Sequence, residues 1–278
     1  MVYLAVPGAK LYYQTAGSGP LIVLIPGATG SVEAFVPLAG QLQEHATVAT
    51  YDRRGFSRSR LDDQPDDEHR LAIDADDVGH LIEHLGGEPA TVFGASSGAI
   101  VALEVLTRLP TLVRSVVPFE PPAVRLLEDG ARWLDFFADV YQHSRRAGAK
   151  PALRRFRAQT FANSDQQFMA EIQKRASSPD EQIRVRDNVV HWFEHELRQY
   201  PAVQLDLDKL RRDRDKVLPV VGRDSRGFPC YQATIALGAA LGCGVTELPG
   251  GHVGYARRPE QFSAELRKLI RERARPTS

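Results

Sequence analysis

The stretch Gly94-Ala95-Ser96-Ser97-Gly98 constrains this chain more than any other. It reads G-x-S-x-G. The residues before it, Thr91-Val92-Phe93, are β-branched and aromatic, as in a strand. Those after it carry a helical apolar pattern through Ile100, Leu103, Val105 and Leu106. Strand, sharp turn and helix together form the setting in which one serine hydroxyl is lifted above the end of a sheet. Such a turn leaves no room for side chains at its flanks, which is why glycines stand there. Ser96 therefore reads as a nucleophile.

The rest of the first half alternates strands and helices. Leu11-Tyr12-Tyr13 suggests an edge strand. Leu21-Ile22-Val23-Leu24-Ile25 is a continuous apolar run, as in a strand buried on both faces. A helix is expected over 31–44, a strand over 46–51, and a helix over 71–85 that stops at Gly86-Gly87. Val113 to Val117 reads as a strand halted by Pro118. From about Pro121 to Arg214 the pattern turns helical and rich in Arg, Phe and Ala, without a strong strand. Alternation returns with strands near 217–221 and 245–248 and helices near 231–241 and 259–271. The expected organisation is an α/β core over 1–120 and 215–278, with its sheet mainly parallel and covered on both faces, interrupted by a helical insertion over 121–214. Arg275-Pro276-Thr277-Ser278 is expected to fray.

Composition narrows the partners. The 278 residues include 35 basic and 35 acidic ones, so the net charge is zero and neither nucleic acid nor an anionic membrane is expected as a partner. Hydrophobic residues at 43% and charged residues at 25% are ordinary for a globular protein. No apolar run is long enough to span a bilayer. The N-terminal residues lack a basic start and are broken early by Pro7-Gly8, unlike a signal peptide. With only Cys230 and Cys243 available, idle thiols and a cytoplasmic setting are expected rather than a disulfide framework.

A serine hydroxyl needs a base, and histidine has the pKa for it. His252 lies in Pro249-Gly250-Gly251-His252-Val253-Gly254, just past the last strand. It is C-terminal to every candidate acid, matching the chain order Ser, acid, His. Two carboxylates compete for the third place. Asp224 follows the strand ending at Val221; a polar loop residue would also explain it. Glu120 sits in Val116-Val117-Pro118-Phe119-Glu120-Pro121-Pro122. A carboxylate among such neighbours loses solvation unless a cation offsets it, and an imidazolium would. That argument leans slightly to Glu120. The oxyanion of an acyl-transfer step needs two N–H donors. Ser97, directly after the nucleophile, and Ala28, in Pro26-Gly27-Ala28-Thr29-Gly30, are the expected ones; Gly27 and Thr29 would border the substrate.

Two other motifs compete for attention. His191-Trp192-Phe193-Glu194-His195 matches the zinc-protease pattern H-x-x-E-H. It is short and falls in the helical insertion, so no metal and no cofactor are expected. Tyr51-Asp52-Arg53-Arg54-Gly55-Phe56-Ser57 is dense in charge. A structural loop, with Asp52 paired to arginine or local backbone, explains it better than a binding site.

Taken together, Pro26-Gly27-Ala28, the Tyr51 to Ser57 segment, the Ser96 elbow and Gly251-His252 resemble the α/β-hydrolase family. The resemblance implies an eight-stranded sheet with a helical cap inserted after the sixth strand. Within that family the chain is most similar to the zearalenone-type lactone hydrolases. The likeness rests on Ser96-Ser97-Gly98-Ala99, Glu120-Pro121-Pro122, Asp187-Asn188 with Trp192, and Pro259-Glu260-Gln261-Phe262. It implies Glu120 as the triad acid and Trp192 as a residue of the substrate pocket. Ala28 stands where those enzymes have glycine. The expected activity is hydrolysis of a small-molecule carboxylic ester or lactone by a monomer or homodimer. Slow-turnover ligand reception, acyl transfer and carbon–carbon bond hydrolysis by the same residues are the alternatives.

Overall fold

The computed structural model describes residues 2–174 and 178–274; the expectation for residues 275–278 lies outside them. The strands are β1 (Val2–Val6), β2 (Ala9–Ala16), β3 (Leu21–Ile25), β4 (Thr47–Tyr51), β5 (Arg60–Leu61), β6 (Ala90–Ala95), β7 (Val113–Phe119), β8 (Val220–Gly222) and β9 (Thr246–Leu248). They form one sheet in the order β1-β2-β4-β3-β6-β7-β8-β9, with the two-residue β5 paired to β2. From β4 to β9 along this order, every pairing is parallel. The helices are α1 (Val36–Leu42), α2 (Arg70–His84), α3 (Ser97–Arg108), α4 (Gly130–Ala147), α5 (Ala149–Thr160), α6 (Asn163–Lys174), α7 (Pro179–His195), α8 (Leu207–Arg212), α9 (Pro229–Leu241), α10 (Gly254–Arg257) and α11 (Pro259–Ala274). This is the α/β-hydrolase fold.

Alternation along the central strands divides the core. Val23, Ile25, Val92 and Val116 face the layer built from α2, α3 and α9, where they meet Val78, Leu81, Val105 and Leu237. Ile22, Leu24, Phe93, Val117 and Phe119 face the opposite layer and meet Leu38, Leu42, Phe262 and Leu266 of α1 and α11. With both faces covered, a strand such as Leu21–Ile25 has no solvent side, which explains its unbroken apolar run.

Two expectations need correction. Leu11 to Tyr13 lies in β2, which is interior. The edge is β1, folded back on β2 through Pro7-Gly8, where Gly8 takes φ +72°. Pro and Gly there make a two-residue hairpin turn. Nor does Pro118 halt β7, which continues to Phe119. Val116 and Glu120 hydrogen-bond on the β8 side, so the N–H that Pro118 lacks would also face β8. There the pairing is sparse, the Phe119↔Val220 pair and an isolated Val116↔Val217 bridge, so the strand tolerates the missing donor.

Between β7 and β8, α4 to α8 and short 3₁₀ turns are the only regular elements among the described residues. Their aromatic and aliphatic side chains form a third cluster, centred on Phe137, Val140, Trp192, Phe193 and Leu197, which reaches the core at Phe56. The parallel strands all end toward the same edge, and the loops leaving β3, β4, β6, β7, β8 and β9 gather there, the usual place for a site in such a sheet.

Candidate active site

Ser96 connects β6 to α3 with φ 56° and ψ −125°. Among the described residues only Ser57, Ser96 and Glu120 are non-glycine residues with positive φ. Two of the three therefore belong to the predicted constellation, consistent with strain gathering at functional sites. The tight turn explains its glycines. A Cβ at Gly94 would strike the Gly98 carbonyl, and one at Gly98 would strike the carbonyls of Ile25 and Pro26. Ser96 stays half-buried at the head of a helix that is buried from Ser97 to Leu103.

The His252 loop and the end of β7 meet beside it. His252 Nδ1 lies 2.5 Å from Glu120 Oε2. An ionised carboxylate only accepts, so Nδ1 carries the proton and Nε2 is left as a base. The other oxygen of Glu120 accepts from Gly222 N at 2.8 Å, and Glu120 is 1% exposed. The backbone ties this acid to the nucleophile: Ser96 N donates to Phe119 O at 2.9 Å, one residue before Glu120. Ser96 Oγ itself makes no hydrogen bond among the described residues. Asp224 lies elsewhere: it is exposed, and its side chain pairs at 3.7 Å with Arg258 rather than with His252.

The loop after β3 reaches the elbow from the other side. A Cβ at Gly27 would sit 2.8 Å from Ala95 O and 2.9 Å from Ser96 Cβ, so only glycine lets this loop approach so closely. Ala28 is half-buried and Thr29 exposed. Ser97 is buried, with its Oγ 3.4 Å from Arg53 Nη1.

The helical segment touches the site through polar groups that sequence reasoning missed. Asp165, at the start of α6, accepts from His252 N at 2.8 Å and pairs with Arg257 at 3.3 Å. Burial holds its carboxyl above the usual range, opposed by His252 and Arg257. Phe161 stacks on the His252 ring at 4.4 Å and 25°. Asn188 donates to Thr29 O and to Ser57 Oγ, both at 2.8 Å. Glu196 receives both Arg53 and Arg70. Asp165 follows Asn163-Ser164, polar residues of the kind that open a helix, but nothing local shows that its partner lies 87 residues away. Trp192 is buried, its ring 4.9 Å from those of Phe156 and Phe193.

The H-x-x-E-H residues are occupied separately. His191 packs edge-on against Phe56 at 4.6 Å, His195 bonds Asp67 at 2.8 Å, and Glu194 takes Tyr141 and Arg145. Among the described residues no group of three or more His, Cys, Asp or Glu is placed to hold a metal. Asp52 caps Val32 N at 2.9 Å and pairs with Arg58 at 2.6 Å, as the structural reading of its loop requires. No described helix is long and apolar enough to cross a membrane.

A strained serine on a strand–helix turn, tied through Phe119 O to the strand end that carries the Glu120–His252 pair, forms the candidate active site at the carboxyl edge of the parallel sheet. The chain belongs to the alpha/beta hydrolase family, whose model matches residues 22–265, and it is an enzyme of the hydrolase class. It is 31% identical to the uncharacterized hydrolase YraK of Bacillus subtilis (strain 168), over 99% of this chain and 97% of that one. It is 26% identical to a zearalenone hydrolase of Cladophialophora bantiana, over 95% and 94%. Among solved structures, the enol-lactonase from Burkholderia xenovorans LB400 superposes with a TM-score of 0.70 at 18% identity, covering 97% of this chain and all of that one.

Proposed function

We propose that the chain is a serine hydrolase of carboxylic esters or lactones that works through an acyl-enzyme. The observation that carries this reading is the buried His252–Glu120 pair, 2.5 Å apart, next to a serine held at positive φ. His252 Nε2 takes the Ser96 proton as Oγ attacks the carbonyl carbon. The N–H groups of Ala28 and Ser97 hold the oxyanion. The tetrahedral intermediate collapses, the C–O bond breaks, and His252 gives its proton to the departing alkoxide. Water, deprotonated by His252, then attacks the acyl carbon and Ser96 leaves with the proton restored. Glu120 fixes the imidazole tautomer and offsets its positive charge in both halves. In a lactone the alcohol stays joined to the acyl group throughout, and deacylation releases both together as one hydroxy acid.

The reading divides the chain into a hydrolase core over 1–120 and 215–278 and a cap over 121–214. Three buried polar cap residues, Asp165, Asn188 and Glu196, each grip a different loop of the core edge, which supports the cap assignment. The cap's aromatic cluster around Trp192 is the source of apolar surface for a ring-bearing acyl or alcohol group. The likeness to a zearalenone hydrolase makes a resorcylic macrolactone the first such substrate to try.

The test compares wild type with Ser96→Ala on p-nitrophenyl acetate and on a resorcylic macrolactone. We expect the variant to lose roughly 10³-fold or more in kcat. A serine-directed fluorophosphonate should label the Ser96 peptide of the wild type, seen as a mass increment. Equal rates and no label would overturn the mechanism; activity on the simple ester alone would remove the macrolactone.

A further inference from the structure

Arg53 takes no part in the reaction just described, yet it touches both sides of the proposed oxyanion hole. It stands at the carboxyl end of β4 and is fully buried. Its backbone N donates to Gly30 O at 2.7 Å. Its Nη1 lies 3.3 Å from Pro26 O, 3.4 Å from Gly27 O and 3.4 Å from Ser97 Oγ. The guanidinium thus spans the loop that carries Ala28 and the residue that follows the nucleophile.

The consequence follows from the peptide unit. In a trans peptide the carbonyl and the next N–H point in opposite directions. Gly27 O faces Arg53 Nη1 and also accepts from Gly30 N at 2.8 Å. The Ala28 N–H belongs to the same unit, so it is turned away from this cluster. A second set of contacts keeps Arg53 from moving. Glu196 receives it in a two-pronged pair, Asp74 takes Nη2 at 3.1 Å, and Arg70 shares Glu196 at 3.0 Å. Two cations and two carboxylates balance, as buried charges must.

We propose that Arg53 is the positioning residue of the oxyanion hole, and that Glu196 of the helical segment locks it there. Arg53 presents a planar fork that reaches carbonyls and carboxylates together: Nη1 meets Pro26 O, Gly27 O and Glu196 Oε2, and Nη2 meets Glu196 Oε1 and Asp74. Lysine offers one flexible point charge and cannot do both. The assignment explains why a second charge-dense residue stands beside Asp52 when Asp52 is already paired with Arg58. It rests on the serine-hydrolase reading.

Arg53→Lys keeps the charge and is the first variant. Steady-state kinetics on p-nitrophenyl acetate should show kcat lowered roughly 10- to 100-fold, with KM within about threefold of wild type. A trifluoromethyl ketone, whose adduct with Ser96 carries the oxyanion, should lose affinity by a similar factor. Circular dichroism must show the variant folded; if it is not, Ser97→Ala decides alone. That variant removes only the Oγ contact and leaves the Ser97 N–H, and its kcat should fall about threefold with ketone affinity falling in step. Unchanged kcat and ketone affinity in the deciding variant, or a rise in KM with kcat preserved, would overturn the proposal. Ser96→Ala serves as the reference. If it keeps full activity, the serine reading itself has failed. If it is inactive while Arg53→Lys is unimpaired, only the role of Arg53 falls.

Discussion

The His252 ring is held by one carboxylate and by aromatic faces, whereas the loop that carries Ala28 is backed by a cluster of buried charges. On the histidine side, Glu120 is the ionic partner, Phe161 and Phe119 lie against the ring at 4.4 and 6.3 Å, and Asp165 grips the backbone. On the oxyanion side, Arg53 and Arg70 share Glu196 and Asp74, with Tyr200 bonded to Asp74. Burial alone would lower the pKa of both arginines, but Glu196 and Asp74 outweigh it and raise both. The difference matches what each side must do. In the proposed reaction the imidazole gains and loses a proton, so it needs an anion bonded directly to its ring. The oxyanion loop changes no charge of its own. It needs only to be stiff, and a balanced ionic cluster provides that.

The sharpest way to break this comparison is to remove the carboxylate that pairs with the His252 ring. Glu120→Gln should lower kcat by roughly 10³- to 10⁴-fold, because the amide can hold the wrong imidazole tautomer and cannot offset its charge. Asp224→Asn should leave kcat within about twofold, since its exposed pairing with Arg258 is worth little. Measuring both on the same ester decides the acid; the reverse ranking would move the assignment to Asp224.

A smaller effect sharpens it from the helical segment. Asp165→Ala removes the acceptor of His252 N and the partner of Arg257. We expect kcat to fall on the order of 10- to 100-fold with KM little changed, as for a displaced base. Asp165→Asn keeps a carbonyl oxygen for His252 N and should recover most of the rate. If both variants match wild type in kcat, or if asparagine is no better than alanine, the grip of Asp165 does not position the base.

These contacts also mark where sequence reasoning stopped. The strands under the site were legible because burial on both faces leaves a continuous apolar run, as in Leu21–Ile25, and the elbow because its glycines have steric causes within a few residues. Glu120 was legible because desolvation makes a carboxylate between phenylalanine and proline conspicuous. Pro118 misled because its cost depends on which neighbour faces it, and that is a property of the sheet. Asp165, Asn188 and Glu196 were illegible for a related reason: each is a polar residue on or just past a polar helix, and its burial is created by loops 87 to 159 residues away. From sequence Arg53 reads only as loop charge, since periodicity carries no information about which carbonyls a buried guanidinium will meet.

The smallest predicted effect concerns stability at the border of the ionic cluster. His191 packs on Phe56 and lies over Gly55, where a Cβ would strike its ring. Burial first, then Arg70, His195 and Arg53, push its pKa down to about 2. The unfolded chain should protonate it near the ordinary value of 6.5. Between those values the unfolded state binds more protons, so the contribution of His191 is present above pH 6.5 and is lost as pH falls, by at most about 1.4 kcal/mol per pH unit. Asp77 works the other way. Burial raises its carboxyl to about 6 despite Arg54, so its contribution is present at low pH and is lost as pH rises through 6. The two oppose each other over the same window, and the stability of wild type alone cannot separate them. The difference between wild type and His191→Gln can, because Asp77 cancels. At pH 7 the variant should melt lower, having lost the packing on Phe56. As pH falls toward 5 the gap should close by about 1–2 kcal/mol, followed by circular dichroism during denaturant unfolding. A gap independent of pH would mean that His191 is charged in the folded state, and that the cluster tolerates a third cation at its edge.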